Sequence, residues 1–249
     1  MHIYNVFGKH KDLGGNLMAV SEVPENPIDS GIPVIVVMSD SEQADVRFRF
    51  FYPGSKEAPI CGHALLGAAS HIAQASFRVE TGTGISDVQK SGDVVSVSMT
   101  LSTAVSPDFT GQADPGWFGL EASQILKAGL YSAGKPKWCI ELKDLAALNA
   151  VRFDLDALAN WNQGKNFSGY VLYVSTGDGW YARASNPLYN IPEDPACAVC
   201  CAALPLSLEE PAFVHMGYPE YLNLIHLEAK DGKLWVGGKV YRCEQSGAV

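Results

Sequence analysis

A chain of 249 residues with 47% apolar side chains can form one large domain or two of ordinary size. Its formal charge of −9, a pI near 5.1 and the lack of any lysine or arginine cluster argue against a nucleic-acid or anionic-membrane surface and favour small-molecule partners. Met1-His2-Ile3-Tyr4-Asn5-Val6-Phe7 has no export-signal pattern and no apolar run is long enough to span a bilayer, so the expectation is a soluble cytoplasmic protein whose six cysteines are free thiols, core residues or reactive groups.

Short β-branched and aromatic runs predict strands at 3–7, 17–23, 33–38, 45–52, 77–80 and 94–101. Val46-Arg47-Phe48-Arg49-Phe50 alternates apolar with charged residues, as a strand with one buried face does. Residues 62–75 predict a helix too apolar all round to lie on a surface, so it should run through a core wrapped by strands. Loop composition from Ser106 to Gly119, with Pro107, Gly111, Pro115 and Gly116, marks the boundary between halves at 1–110 and 111–249. The second half predicts surface helices over 121–127 and 154–162, strands over 169–174 and 180–185, a helix over 197–208 and a closing hairpin of 223–228 with 234–243.

Two segments repeat. Glu57-Ala58-Pro59-Ile60-Cys61 recurs as Glu193-Asp194-Pro195-Ala196-Cys197, and each copy follows an Arg-x-x-x-Pro, Arg49 to Pro53 and Arg183 to Pro187. Strand, proline-bearing loop, cysteine and helix thus occur twice in the same order, with each cysteine where a helix begins. Unpaired N–H groups and the positive end of the helix dipole stabilise a thiolate there and bind a carboxylate. Two such thiols on one small acid allow one to remove an α-proton while the other returns one, inverting the carbon without a cofactor. A lone cysteine of this kind is more often a small buried hydrophobe; the matched pair favours chemistry.

Other signals weigh less. Cys197-x-x-Cys200-Cys201 could be a redox pair or half a zinc site, but no second C-x-x-C and no spaced histidine pair accompanies it, so no metal is expected, and Cys200, one helical turn below Cys197, reads with Cys201 as core packing. Thr81-Gly82-Thr83-Gly84 fits a strand turn better than a phosphate loop, and no nucleotide cofactor is supported. His63 could share a proton with Cys61 or cap the helix; Asp194 could act in proton transfer or stabilise a helix start; Asn16 could reach a ligand or serve a turn. Cys139 and Cys243 read as bystanders on strand-like runs.

Taken in order, Gly15-Asn16-Leu17-Met18-Ala19-Val20, Arg49-Phe50-Phe51-Tyr52-Pro53, Glu57 to Ala64, Glu80-Thr81-Gly82-Thr83-Gly84 and Glu193-Asp194-Pro195-Ala196 resemble the marker segments of the phenazine-biosynthesis (PhzF-like) isomerase family. The resemblance implies an α/β (α+β) chain of the diaminopimelate epimerase-like fold. That fold has two pseudo-symmetric domains, each a β-sheet rolled around a central helix, with the active site between them and often a homodimer. The family's glutamate, carried in a Ser-Glu-[Ser/Thr]-x-Phe segment after a helix, has no counterpart: only Ser21 to Ile32 separate the two strands, Pro33 falls near the expected acid, and Glu42 lies too far along. The family's Ala-Thr-Gly-Ser becomes Ala196-Cys197-Ala198-Val199, which places side chains where backbone N–H groups would meet a ligand. Cys61 and Cys197 fall where the two-thiol branch, the diaminopimelate epimerases and proline racemases, carries its catalytic cysteines.

The expectation is therefore a cofactor-independent isomerase acting on a small carboxylate or amino-acid-like substrate. Cys61, Cys197, Asp194 and His63 are the catalytic candidates, and Asn16, Gly62, His63, Ala198 and Val199 the binding candidates. The alternatives are a ligand-binding member without catalysis and a thiol redox protein.

Overall fold

The computed structural model describes residues 1–21 and 31–243. Two compact units divide the chain: Met1–Met99 with the segment from Trp235 onward, and Thr100–Leu234. The sequence reading divides it once, after residue 110.

The first unit contains β1 (His2–Val6), β2 (Asn16–Ser21), β3 (Ile35–Ser39), β4 (Val46–Tyr52), β5 (Lys56–Ala58), α1 (Gly62–His71), β6 (Ser76–Thr81), β7 (Gly84–Ser91) and β8 (Val94–Met99). Most of the last strand, β17 (Lys233–Arg242), belongs to it too. Strand β1 pairs antiparallel with β2, β2 parallel with β3, β3 antiparallel with β4, β4 parallel with β6, and β6, β7 and β8 follow as an antiparallel meander. Because β17 pairs with both β8 and β1, these eight strands close on themselves and leave no open edge.

Helix α1 packs inside this sheet, buried from Gly62 to Ala69. Small residues fill it because the enclosed space is narrow. A Cβ on Gly67 would lie 2.4 Å from Met18 Sδ and 3.2 Å from Val6 Cγ2. In β4, Phe48 and Phe50 point into the core while Arg47 and Arg49 face out, as the alternation requires. The helix expected over 62–75 stops at His71, because Ile72 turns extended and the Ala75 carbonyl already accepts from Lys90 N–H at 2.8 Å. The strand expected over 17–23 is present to Ser21; its last two residues, and most of the short β2–β3 connection, lie outside the described residues.

The second unit contains β9 (Thr103–Ala104), β10 (Ile125–Ser132), β11 (Pro136–Leu142), α2 (Leu145–Ala150), α3 (Leu155–Asn162), β12 (Tyr170–Thr176), β13 (Gly179–Asn186), β14 (Ile191–Asp194), α4 (Ala198–Ala203), β15 (Ala212–Met216) and β16 (Asn223–Lys230). Its pairings repeat those of the first: β10 antiparallel with β11, β11 parallel with β12, β12 antiparallel with β13, β13 antiparallel with β14 and parallel with β15, and β15 antiparallel with β16. Helix α4 is buried throughout and packs on β10, β11, β12 and β16. Helices α2 and α3 fill the connection equivalent to the short β2–β3 link. Asp144 and Asp154 cap them by accepting from the N–H groups of Ala147 and Ala157. Leu148, Leu158, Trp138, Phe167, Tyr170 and Phe118 form a largely aromatic core beneath them.

Two expected helices are corrected. Residues 121–127 form one 3₁₀ turn, Ala122–Gln124, closed by a reciprocal cap between Glu121 and Gln124, after which Ile125 starts β10. Pairing with β11 outweighs local helix propensity there. The helix expected over 197–208 ends at Ala203, since Leu204 precedes Pro205 and takes an extended conformation.

Candidate functional site

Each unit presents its cysteine in the same way. Arg49 in β4 donates from Nε to Glu57 Oε1 at 2.9 Å and from a terminal nitrogen to Oε2 at 2.8 Å; Arg183 in β13 does the same to Glu193 at 2.7 Å and 2.7 Å. The arginine and glutamate of each repeat thus clasp the loop that leads to the cysteine. Behind each loop lies a glycine. A Cβ on Gly82, after β6, would sit 2.8 Å from Pro59 Cα, and one on Gly217, after β15, 3.4 Å from the Pro195 carbonyl, which Asn223 also holds at 2.6 Å. The loop ends at an extended residue that starts the buried helix: Cys61 for α1, Cys197 for α4.

The surroundings of the two thiols differ. Cys61 is 4% exposed; its sulfur accepts from the Tyr52 hydroxyl at 3.4 Å and lies 3.5 Å from His63 Nδ1, with His63 itself 5% exposed. A phenol donor and an imidazole therefore share one sulfur. Cys197, partly exposed, donates to Cys200 Sγ at 2.7 Å and accepts from the Cys200 N–H at 3.4 Å. That thiol hydrogen bond, then burial, hold the Cys197 pKa well above the ordinary thiol range; the Asp194 charge adds to this and Lys137 opposes it. The lowered pKa expected of a helix-start cysteine is thus not found at Cys197. Helix α4 has only six residues, and the neighbouring sulfur dominates.

Of the other candidates, Gly62 and Ala198 are the first residues of α1 and α4, and His63 and Val199 the second, all buried. Asp194 ends β14, and its Oδ1 accepts from Ala196 N–H at 3.1 Å, so it turns the chain towards Cys197. Asn16 is buried at the start of β2, after Gly15, whose φ of 91° and contact with Asn5 admit no side chain. Among the described residues no group of three or more His, Cys, Asp or Glu is placed to hold a metal ion, and no helix is long and apolar enough to cross a membrane. An apolar cavity of about 350 Å³ lies at the far end of α4, lined by Leu101, Leu204, Leu206 and Leu208, and touches none of these residues.

Register reveals partners that the sequence reading missed. Two residues past each arginine, Phe51 pairs with Ile35 and Ile35 with Ala19, while Ser185 pairs with Tyr170 and Tyr170 with Trp138. Stepping back along β2 and β11 from Ala19 and Trp138, Lys137 takes the place of Met18 and Lys135 that of Asn16. Lys137 is 3% exposed and donates to the Ser168 carbonyl at 2.6 Å. Lys135 donates to the Tyr189 hydroxyl at 3.2 Å, and burial, with Lys137 nearby, lowers its pKa. The shared Gly-x of Gly15-Asn16 and Gly134-Lys135, both glycines at positive φ, was the available signal.

The family model described as phenazine biosynthesis-like protein matches residues 31–216, most of the chain and both repeats. The chain belongs to this family. An uncharacterized isomerase of Clostridium acetobutylicum is 30% identical over 184 residues, covering 64% of this chain; the match spans 59% of that curated relative's length. Among solved structures, a PhzF-family phenazine biosynthesis protein of Bacillus anthracis matches with a TM-score of 0.75 at 18% identity, covering 98% of this chain and 96% of that one. A predicted epimerase of Pseudomonas aeruginosa matches at 0.71 and 20%, covering 99% of each. The phenazine biosynthesis-like chain accordingly has the epimerase-type fold that its family resemblance implied.

Proposed function

We propose that this chain is a cofactor-independent isomerase that exchanges a proton at the carbon beside the carboxylate of a small acid, with Cys61 and Cys197 as its acid/base pair. The carrying observation is that each repeat delivers its cysteine, through the same Arg–Glu clasp, to the start of the helix inside its unit's sheet. The names of the Clostridium and Pseudomonas relatives agree with an isomerase. The two environments suit opposite tasks. The Tyr52 hydroxyl that donates to Cys61, with His63 Nδ1 beside the same sulfur, fits Cys61 to take a proton, while the thiol bond to Cys200 keeps Cys197 protonated and fits it to give one. His63 shares the proton at Cys61; Asn16, Gly62, Ala198 and Val199 border the ligand; Asp194 shapes the approach to Cys197.

The test is solvent-deuterium incorporation into a panel of α-amino and hydroxy acids. Incorporation by the wild type, reduced by orders of magnitude in both Cys61→Ser and Cys197→Ser variants that remain folded, is the expected result; an unchanged rate in either variant overturns the pairing. A second reading, a ligand-binding member without catalysis, is favoured by the Cys197 thiol that resists ionisation and by the side chains of Ala198 and Val199. It takes the lead if a panel member binds and none exchanges.

A further inference from the structure

The second unit carries a pair of thiols that the first does not. Cys197 Sγ and Cys200 Sγ lie 2.7 Å apart, closer than two unbonded sulfurs ordinarily rest, and a disulfide needs only about 2.05 Å. Three features favour bonding between these two sulfurs and no others. The extended backbone of Cys197 before the first turn of α4 brings residue 200 directly over it, with the Cys200 N–H aimed at the Cys197 sulfur at 3.4 Å. Cys197 is partly exposed, whereas Cys200 is 3% exposed and protected. The remaining thiols nearby are otherwise engaged: Cys201 donates to Met216 Sδ at 3.5 Å, and Cys139 to the Ala203 and Lys137 carbonyls at 3.7 Å each. In the first unit the residue equivalent to Cys200 is Ala64, which carries no thiol.

We propose that Cys197 and Cys200 form a reversible disulfide, with low-molecular-weight disulfides such as oxidised glutathione as the oxidant, and that closing it withdraws the Cys197 thiol from proton transfer. The regulatory half of this inference rests on the isomerase reading; the disulfide itself does not. In the first step the Cys197 thiolate attacks one sulfur of oxidised glutathione, a mixed disulfide forms, and one glutathione thiolate leaves. In the second, the Cys200 thiolate, its proton passed to solvent, attacks Cys197 Sγ; the protein disulfide forms and a second glutathione leaves. The two protein thiols lose two electrons and two protons, and one glutathione disulfide becomes two thiols. The buried ammonium of Lys137 is a cation near the attacking sulfur, and the step quickens as pH rises because Cys197 is otherwise held protonated.

The experiment treats the whole chain with oxidised glutathione, blocks remaining thiols with an alkylating agent and reads intact and peptide masses without reductant. The wild type is expected to lose the mass of two hydrogens, with Cys197 and Cys200 alone protected, and to regain it with a dithiol reductant. Cys200→Ala is expected to stop at a glutathione adduct on Cys197, while Cys201→Ser still closes the bond. A wild type that gains only glutathione adducts, or a two-hydrogen loss that persists in Cys200→Ala, overturns the disulfide. Deuterium exchange on the same samples separates the two ideas. Exchange lost on oxidation and regained on reduction supports the switch, and exchange that survives closure overturns it. Exchange absent from the reduced protein overturns the isomerase reading and, with it, the regulatory half, while the masses still decide the disulfide.

Discussion

Arg183 grips Glu193 with two parallel hydrogen bonds of 2.7 Å, and the same guanidinium donates to the Leu148 and Val151 carbonyls and lies 3.9 Å from the centre of the Tyr218 ring. Its counterpart, Arg49 on Glu57, has the same two-pronged geometry in the open: Arg49 is 45% exposed, Arg183 4%. One inherited contact thus sits in two dielectric settings.

Those settings predict different energies for one substitution. Glu193→Gln strands a buried guanidinium and should cost about 3 kcal/mol. Glu57→Gln, whose partner stays hydrated, should cost less than about 1 kcal/mol. Urea denaturation of both variants checks this, and equal losses would mean that the buried setting of Arg183 is immaterial.

Gly82 sets the position of the loop that ends at Cys61. A Cβ there would lie within 3.0 Å of three Pro59 atoms, two of them backbone, which cannot swing aside. Gly82→Ala should cost about 1–3 kcal/mol and displace Cys61. Thermal melting, together with the rate of Cys61 alkylation, measures both effects; a variant matching the wild type in each shows that the approach carries no weight.

The Cys200 sulfur is the foremost cause of the raised Cys197 pKa. Removing it in Cys200→Ala should move the alkylation profile of Cys197 to lower pH, because the thiol loses its acceptor and its thiolate fraction rises at any given pH. Alkylation across a pH series, read by peptide mass, shows the shift. Cys139, whose pKa burial drives far upward, stays inert as an internal control.

Lys137 stands where the first unit has Met18, and among the described residues no carboxylate pairs with it. Replacing a buried cation by an apolar side chain of similar length removes a desolvation cost, so Lys137→Met should leave stability unchanged or higher. It should also move Cys197 alkylation to still higher pH, since the lysine charge favours the thiolate. Denaturation and alkylation together distinguish a residue kept for the sulfur from one kept for the fold.

The duplication was legible because Glu-x-Pro-x-Cys repeats without a gap, and it agreed with the fold that the family resemblance implied. The Arg–Glu clasps were visible as letters but not as contacts, since their spacing differs between the copies and only a sheet brings the ends together. Residues 125–127 were misread as helical because β10 is specified by its neighbour rather than by its own composition. Lys135 and Lys137 escaped notice because pseudo-equivalence runs through strand register, and residues that share a place need not share chemistry. The neutral state of Cys197 depends on one sulfur a turn away, which a helix-start argument omits.

The first unit releases the chain at Met99 and recovers it only at Trp235. During synthesis its sheet therefore waits, open along β1 and β8, for a strand that is made only after the entire second unit. A nascent chain must shield two raw strand edges over that delay, and a premature stop before β17 leaves them unpaired for good.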